Sequence, residues 1–286
     1  MKYLIPENDA RIIHQWLLVR MASPNTVYSY RKNAEQFFEF IQKSIAEIAI
    51  EDATHYYGWL RTKYGIASQK QKLDTMSGLF EFARDMDHIR RNPFKLIQRP
   101  KYKKELTDRI LTSDEVDQLI EGAISVRDKM MIRLFYYSGG RVSEVLNVKW
   151  SDLVEREGGG QVTLFGKDGV TRAVLIPSPF WDELTAFRTN RRDFIFPGGH
   201  RGSSDPSKPL NRKSAWYVVN QAAKRAKLGN VSPHWLRHAH ATEALENGAP
   251  LHLLKESLGH RSIATTAKYL HTRPMESSSS YLRKKV

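Results

Sequence analysis

The sequence predicts a mainly α fold with a small β-sheet: an N-terminal helical bundle, a short charged linker and a C-terminal mixed α/β domain. Three observations predict it. Apolar residues in the first third recur at helical spacing. One later segment, "QVTLFGKDGVTRAVLIP", alternates around Gly166-Lys167-Asp168-Gly169, a β-hairpin signal. Between them, "RPKYKKELTDR" is charged, holds a proline and lacks apolar periodicity, so it reads as a linker. The boundaries read 1–98 for the bundle, 99–108 for the linker and 109–286 for the second domain with its tail.

Val27, Tyr30, Ala34, Phe37 and Ile41 mark one helix of the bundle. Ala53, Tyr56, Tyr57 and Leu60 mark a second, and Leu73, Met76, Phe80 and Ala83 a third. "SPNT" before Val27 is a helix start and Asn92-Pro93 a stop, because proline disfavours the α conformation in the residue before it. Arg31, Lys32, Lys70 and Lys72 are expected on the outer faces, solvated or touching phosphates. The linker itself carries Lys101, Lys103 and Lys104. "LTSDEV" opens the second domain, with Thr112 or Ser113 as N-cap and Asp114 and Glu115 in the first turn. Met130 to Tyr137 is too apolar for a surface helix and is expected to be buried. "SGGR" ends it, and "VSEVLNV" starts another helix with Val142, Val145 and Leu146 inward. Beyond the hairpin and "PFW" comes a Gly/Ser/Pro-rich loop near Gly198 to Pro209, after which helices return. No internal repeat is visible, and Ser277 to Ser280 reads as a local linker before a basic tail.

Composition bounds the function. The chain has 286 residues, enough for two domains, and 41% are hydrophobic, enough for a core. A formal net charge of +14 and a pI of about 9.8 point to a polyanionic partner, most often nucleic acid. A membrane surface fits less well, since no basic amphipathic anchor stands out. The absence of cysteine excludes disulfides, thiolate catalysis and cysteine-based zinc sites. "MKYLIPENDARII" lacks the apolar core of a signal peptide, and no apolar run is long enough to span a bilayer. The chain is therefore expected to stay where it is made, in the cytoplasm on the nucleoid, or in a nucleus.

The stretch from Ser232 to His271 holds six of the ten histidines, with Arg237 and Tyr269. Three chemistries compete for it. In the first, His234 and His238 at i and i+4 hold a metal; but position 235 is tryptophan where a general-base glutamate is wanted, no third ligand stands at a set spacing, and Arg237 would repel a cation. In the second, "PLHLLKESLGHRSIATTAKYLH" is a helix-turn-helix with its turn at Gly259. That explains the charge but not Arg141, Lys167 or "HWLR". The third is phosphoryl transfer. A phosphodiester resists nucleophiles, and two guanidiniums clamp the charge that grows on its non-bridging oxygens. A tyrosine hydroxyl conserves the phosphoryl energy as an ester. With a pKa near 10 it needs positive neighbours or a base, and the leaving 5′ oxygen needs a proton from a lysine or histidine. Arg141, Lys167, His234, Arg237, His260 and Tyr269 supply these groups.

"SGGRVSEVLNVKW", "GKDGVTRAVLIP", "SPHWLRHAHAT" and "LGHRSIATTAKYLH" closely resemble, in order and spacing, the tyrosine recombinase (phage integrase) family, nearest its Xer-type and simple integrase members. The resemblance covers the second domain. It implies that the bundle is the family's SAM-like core-binding domain and the rest its catalytic domain. It implies that Arg141 and Arg237 clamp the phosphate, Lys167 is the general acid and His234 acts in proton transfer on the nucleophile. It further implies that His260 hydrogen-bonds the phosphate, Tyr269 is the nucleophile and Glu144 buttresses the site. His238 is expected to anchor its helix, and Arg172 to join Lys101, Lys103 and Lys104 in touching DNA. The implied partners are duplex DNA with inverted-repeat half-sites and a homotetramer, or a heterotetramer with a paralogue, with room for an accessory protein. A Holliday junction is the implied intermediate, and no metal, nucleotide or other cofactor is required. The alternatives are relaxation of DNA as a type IB topoisomerase does it, and a non-catalytic helix-turn-helix protein.

Three departures from the family pattern carry expectations. Gly140 replaces a larger apolar residue, which loosens the backbone before Arg141. Val170 stands where a second hairpin lysine is common, which weakens a DNA contact. No arm-binding domain precedes the bundle, which points away from an integrase that reads distant arm sites. His240, His252 and His271 are expected to be packing or surface residues. Tyr281 is a rival nucleophile outside any motif, and the tail beyond Arg273 is expected to dock on a neighbouring subunit.

Overall fold

The computed structural model describes residues 5–20, 23–101, 110–166, 169–188, 193–198 and 207–271, the side chains of 270 and 271 excepted. The chain divides into two units, Met1–Glu105 and Leu106–Val286. In the first, α1 (Glu7–Val19), α2 (Pro24–Ile41), α3 (Ile50–Lys63) and α4 (Ile66–Asp85) surround one core. Phe37 is fully buried there and meets Phe38, Tyr56, Phe80 and Phe94 edge-on, at centroid separations from 4.8 to 5.9 Å. Such edge contacts favour aromatic pairs beyond the area they bury.

The starts of these helices follow local chemistry. Ser23 is the N-cap of α2 and Pro24 its first residue, where a missing N–H costs nothing. The far end of α4 differs from the expected stop. It closes at Asp85 because Asp87 turns left-handed (φ 58°) and His88 N donates back to Ala83 O at 2.9 Å. Asn92 serves the turn beyond, accepting from Phe94 N at 2.9 Å. The sequence reading also passed over α1, whose Ile12, Ile13, Trp16 and Leu17 form a buried stripe of the same kind. Of the outer-face cations, Arg31 and Lys70 are exposed and Lys32 pairs with Glu35 at 2.7 Å. Lys72 is not on the outer face. It donates to Asn33 and Gln36 at 3.0 and 2.6 Å and sits 4.6 Å from the Tyr64 ring centroid, so its charge is spent within the unit.

The second unit opens with α5 (Ser113–Glu121). Thr112 caps it, accepting from Glu115 N at 3.2 Å while Glu115 Oε2 accepts from Thr112 N at 3.1 Å. Then come α6 (Val126–Ser138), α7 (Val142–Leu146), strands β1 (Leu153–Arg156), β2 (Gly159–Phe165) and β3 (Thr171–Pro177), and helices α8 (Ser178–Ala186), α9 (Arg212–Arg225), α10 (Pro233–Glu246), α11 (Leu251–Leu258) and α12 (Ile263–Thr266). A 3₁₀ turn over Ala267–His271 follows α12. The sheet is antiparallel in the order β1-β2-β3, with Val162 opposite Val174 and Leu164 opposite Arg172. α6 runs through the core, with Met131, Ile132, Leu134 and Phe135 fully buried, as its apolar sequence requires. β1 and α8 were not read from the sequence. Among the described residues no helix is long and apolar enough to cross a membrane.

Candidate active site

The site is built where the ends of helices meet. Gly139 closes α6 in the left-handed conformation (φ 54°), and the chain then turns so that Arg141 becomes the N-cap of α7. Glycine is needed at 139 for space as well, since a Cβ there would fall 2.6 Å from His240 Cδ2. Gly140 is equally confined. A Cβ would lie 2.6 Å from Val145 Cγ2 and 3.1 Å from Leu164 Cδ1. The expectation of a looser backbone before Arg141 is therefore overturned: the small residue is there because the turn is tightly packed.

Arg237, on α10, is only 2% exposed. Nη1 donates to Gly139 O at 2.7 Å and Nη2 to Leu258 O at 2.8 Å. Both carbonyls lie at the C-terminal ends of helices, α6 and α11, where the helix dipole is negative and favours a cation. Burial, with Arg141 adding, lowers its pKa to about 10, still far enough up to keep the charge at neutral pH. Nη2 also lies 2.8 Å from His260 Nε2. A guanidinium cannot accept, so His260 Nε2 is the acceptor and the ring proton sits on Nδ1. That proton is donated to Thr266 Oγ1 at 2.8 Å, and Thr266 is fully buried. Thr266 thus fixes the tautomer of His260, a part the sequence reading had missed.

Arg141 is the exposed member, with 44% of its side chain open. Nη1 donates to Glu144 Oε1 at 2.7 Å and Nη2 lies 3.4 Å from Gly259 O. Glu144 is 4% exposed. Burial pushes its pKa up, but hydrogen bonds from Arg172 and Arg141 outweigh burial and hold it at about 2. Arg172, expected to touch DNA, is instead turned inward with 7% of its side chain exposed, donating to Glu144 Oε2 and Ser257 O at 2.7 and 2.6 Å.

Tyr269 is 8% exposed and packs with Ala241, Leu254 and Leu258. Burial raises its pKa, against the lowering pull of Arg237 and Arg141, so the hydroxyl keeps its proton at neutral pH. Its ring lies parallel to that of His260 at 6.4 Å, and 5.3 Å from that of His238, which in turn meets His234 at 4.4 Å. The His238 ring thus meets both the His234 ring and the tyrosine ring. Among the described residues, no three His, Asp or Glu side chains are grouped as metal ligands would be. Lys167 lies outside the described residues, as do Lys103, Lys104, Tyr281 and the tail; Lys101 is exposed.

Beside His234 runs an open cleft of about 1670 Å³, lined among others by Arg127, Lys208, Arg212, Lys213, Trp216 and Tyr217. Trp216 and Tyr217 remain 50% and 60% exposed, unusual for such large rings. The run "NRKSAWY" carried that signal, basic and aromatic residues interleaved ahead of the histidine motif, and was not picked out.

His240 and His260 set a lower pH limit for this unit. Burial, with Arg237 adding and a hydrogen bond involving the Tyr136 backbone opposing, takes His240 from 6.5 to about 4. Burial, then Arg237, Arg141 and Arg172, takes His260 to about 4 as well. Between about pH 4 and 6.5 the unfolded chain therefore binds more protons than the folded one. Stability rises with pH across that window and is lost as pH falls through it. Melting temperatures followed from about pH 7 down to 4 should decline, and His240→Phe should flatten the decline. A flat wild-type profile would show that neither ring is held neutral.

A model of the phage integrase family matches residues 109–276. The tyrosine recombinase XerC of Roseiflexus sp. (strain RS-1) is 30% identical over 275 residues, covering 88% of this chain and 85% of that protein. A solved lambda integrase dimer bound to a COC′ core site is similar in fold, with a TM-score of 0.76 at 19% identity over 94% of this chain and 78% of that one. The XerH site-specific recombinase bound to its difH substrate gives a TM-score of 0.71 at 20% identity, over 96% and 84% of the two chains.

Proposed function

The chain belongs to the phage integrase family, and from that premise we propose how this site cuts and rejoins DNA strands. The enzyme is a site-specific tyrosine recombinase. The observation that carries its chemistry is the convergence of Arg237, His260 and Tyr269, drawn from α10 and the segment after α11, with Arg141 of α7 held beside them by Glu144 and close to Gly259 O.

In this reading a scissile phosphate enters beside the exposed face of Arg141. Arg141 and Arg237 donate to its non-bridging oxygens, where charge grows in the transition state. The Tyr269 oxygen attacks phosphorus and its proton passes to His238, with His234 behind it. The bond from phosphorus to the 5′ oxygen breaks, and Lys167 protonates that oxygen as it leaves. The product is a 3′-phosphotyrosyl ester and a free 5′ hydroxyl. Attack by the 5′ hydroxyl of a second strand reverses these steps and restores the tyrosine, so no external energy source enters. His260 begins as the acceptor for Arg237; once Arg237 has moved to the phosphate, the ring proton shifts to Nε2, which donates to a phosphate oxygen while Nδ1 accepts from the Thr266 hydroxyl.

The basic, aromatic-edged cleft next to His234 is suited to the DNA flanking the cut, and the net charge of +14 to its backbone. We place the bundle on the DNA as well, with the linker lysines at its backbone. Exchange of both strand pairs needs four active sites, hence a tetramer on two inverted-repeat sites with a Holliday junction between the exchanges. The setting that follows is the cytoplasm, on the nucleoid.

Sequencing the DNA trapped covalently by the protein in its host tests this function. Trapped ends are expected to recur at one junction flanked by inverted repeats. Ends scattered without sequence preference would favour topoisomerase-like relaxation, and no trapped DNA would favour a non-catalytic binder.

A further inference from the structure

We propose that Arg172 is a positioning residue of the phosphate site: a buried third guanidinium that shares Glu144 with Arg141 and ties β3 to the turn leading to His260 and Tyr269. The inference rests on the recombinase reading above and deepens it.

Arg172 stands on β3, five residues beyond Lys167, with its side chain turned into the protein. It reaches two other segments. Nε donates to Ser257 O at 2.6 Å, at the end of α11, and Nη2 to Glu144 Oε2 at 2.7 Å, on α7. The side chain also packs against Gly259, where a Cβ would fall 3.0 Å from Nη1 and 3.2 Å from Cδ. Gly259 (φ 64°) is the residue that hands the chain to His260. Nη1 itself is buried and, among the described residues, has no hydrogen-bond partner. A donor left so is retained against its desolvation cost, which indicates that charge and reach fix this side chain, beyond the satisfaction of its own bonds.

The charge balance says what the position does. Two guanidiniums, those of Arg141 and Arg172, hold one carboxylate. Glu144 gives one oxygen to the Arg141 side chain and the other to Arg172 and to the Arg141 backbone N–H at 2.9 Å. With Arg172 present, Glu144 is held from both sides, and Arg141 Nη2 has only a 3.4 Å contact with Gly259 O to give up for a phosphate. Without Arg172, Glu144 has one cation left. It would then grip Arg141 as a closed ion pair, and a neutralised Arg141 is a poor clamp for an anion. The loss would fall on the chemical step, since Arg172 itself offers no surface to DNA.

Single-turnover cleavage of a nicked DNA substrate tests this, with wild type as the control. If wild type forms no covalent complex, the recombinase reading fails; if it does, the variants judge Arg172 alone. Arg172→Met is expected to cleave about tenfold or more slowly at saturating DNA, as for a misplaced clamp, with half-saturating DNA unchanged within about twofold. Adding Glu144→Gln to Arg172→Met removes the grip on Arg141 and should recover about threefold or more, a coupling in the usual range for residues in one network. A merely structural residue would give losses that accumulate. Should Arg172→Met not fold, Arg172→Lys keeps the charge but cannot donate to Ser257 and Glu144 together, and should also cleave slowly at saturating DNA. Three results would overturn the proposal. They are weakened binding with an unchanged saturated rate, a double variant no faster than Arg172→Met, and Arg172→Lys at the wild-type rate.

Discussion

Tyr269→Phe is expected to abolish covalent capture of DNA while leaving binding intact. The substitution deletes one oxygen and almost no volume or charge, so the ring keeps its place against Ala241, Leu254 and Leu258. What it deletes is the nucleophile, and removing the central group of an interdependent constellation costs orders of magnitude, about 10⁴ or more in related chemistries. A nicked suicide substrate traps wild type on a denaturing gel because the released strand end diffuses away; the variant should stay free. In a gel-shift assay the two should be alike within about a factor of two, since Tyr269 is nearly buried in the DNA-free protein. Covalent capture by Tyr269→Phe, or its loss in Tyr281→Phe, would move the nucleophile elsewhere.

Lys167→Ala is expected to slow cleavage of ordinary DNA on the order of a hundredfold, the usual contribution of a general acid. A general acid matters only while the leaving group is poor. Sulfur in place of the bridging 5′ oxygen departs without a proton, so Lys167→Ala should recover most of its loss on the 5′-thio substrate. Arg141→Ala should not, because the charge it stabilises is on the non-bridging oxygens. If both variants respond alike to sulfur, Lys167 is a clamp or a DNA contact, and His234 or His260 becomes the better acid.

Much of the fold was legible because burial leaves a period. Phe37 and Phe80 announced α2 and α4 by spacing, and Met131 to Phe135 announced a buried helix by apolarity. α1 carried the same stripe at Ile12, Ile13, Trp16 and Leu17 and was legible in principle. β1 was not, since its four residues LVER are mostly exposed and show no alternation. Within the site, residue types were legible from chemistry, because a phosphate needs guanidiniums and a nucleophile whatever the fold. Direction was not. Arg172 and Lys72 look like surface cations in the sequence; each is turned inward by partners far along the chain, Ser257 and Glu144 for one, Asn33 and Gln36 for the other. Gly140 misled for a related reason. A glycine reads as freedom until the neighbours that fill its space, Val145 and Leu164, are in view. The part of Thr266 in fixing His260 depends on a hydrogen bond that no spacing rule singles out.

Mapping the covalent adduct tests the central claim most directly. Wild-type protein trapped on a suicide substrate would be digested with nuclease and protease, and the peptide carrying the residual nucleotide sequenced by mass spectrometry. The expected adduct is a nucleotide 3′-phosphate esterified to the oxygen of Tyr269, with a free 5′ hydroxyl on the released strand. A phosphate on Tyr281 or on a serine, or a linkage through a 5′ phosphate, would contradict it.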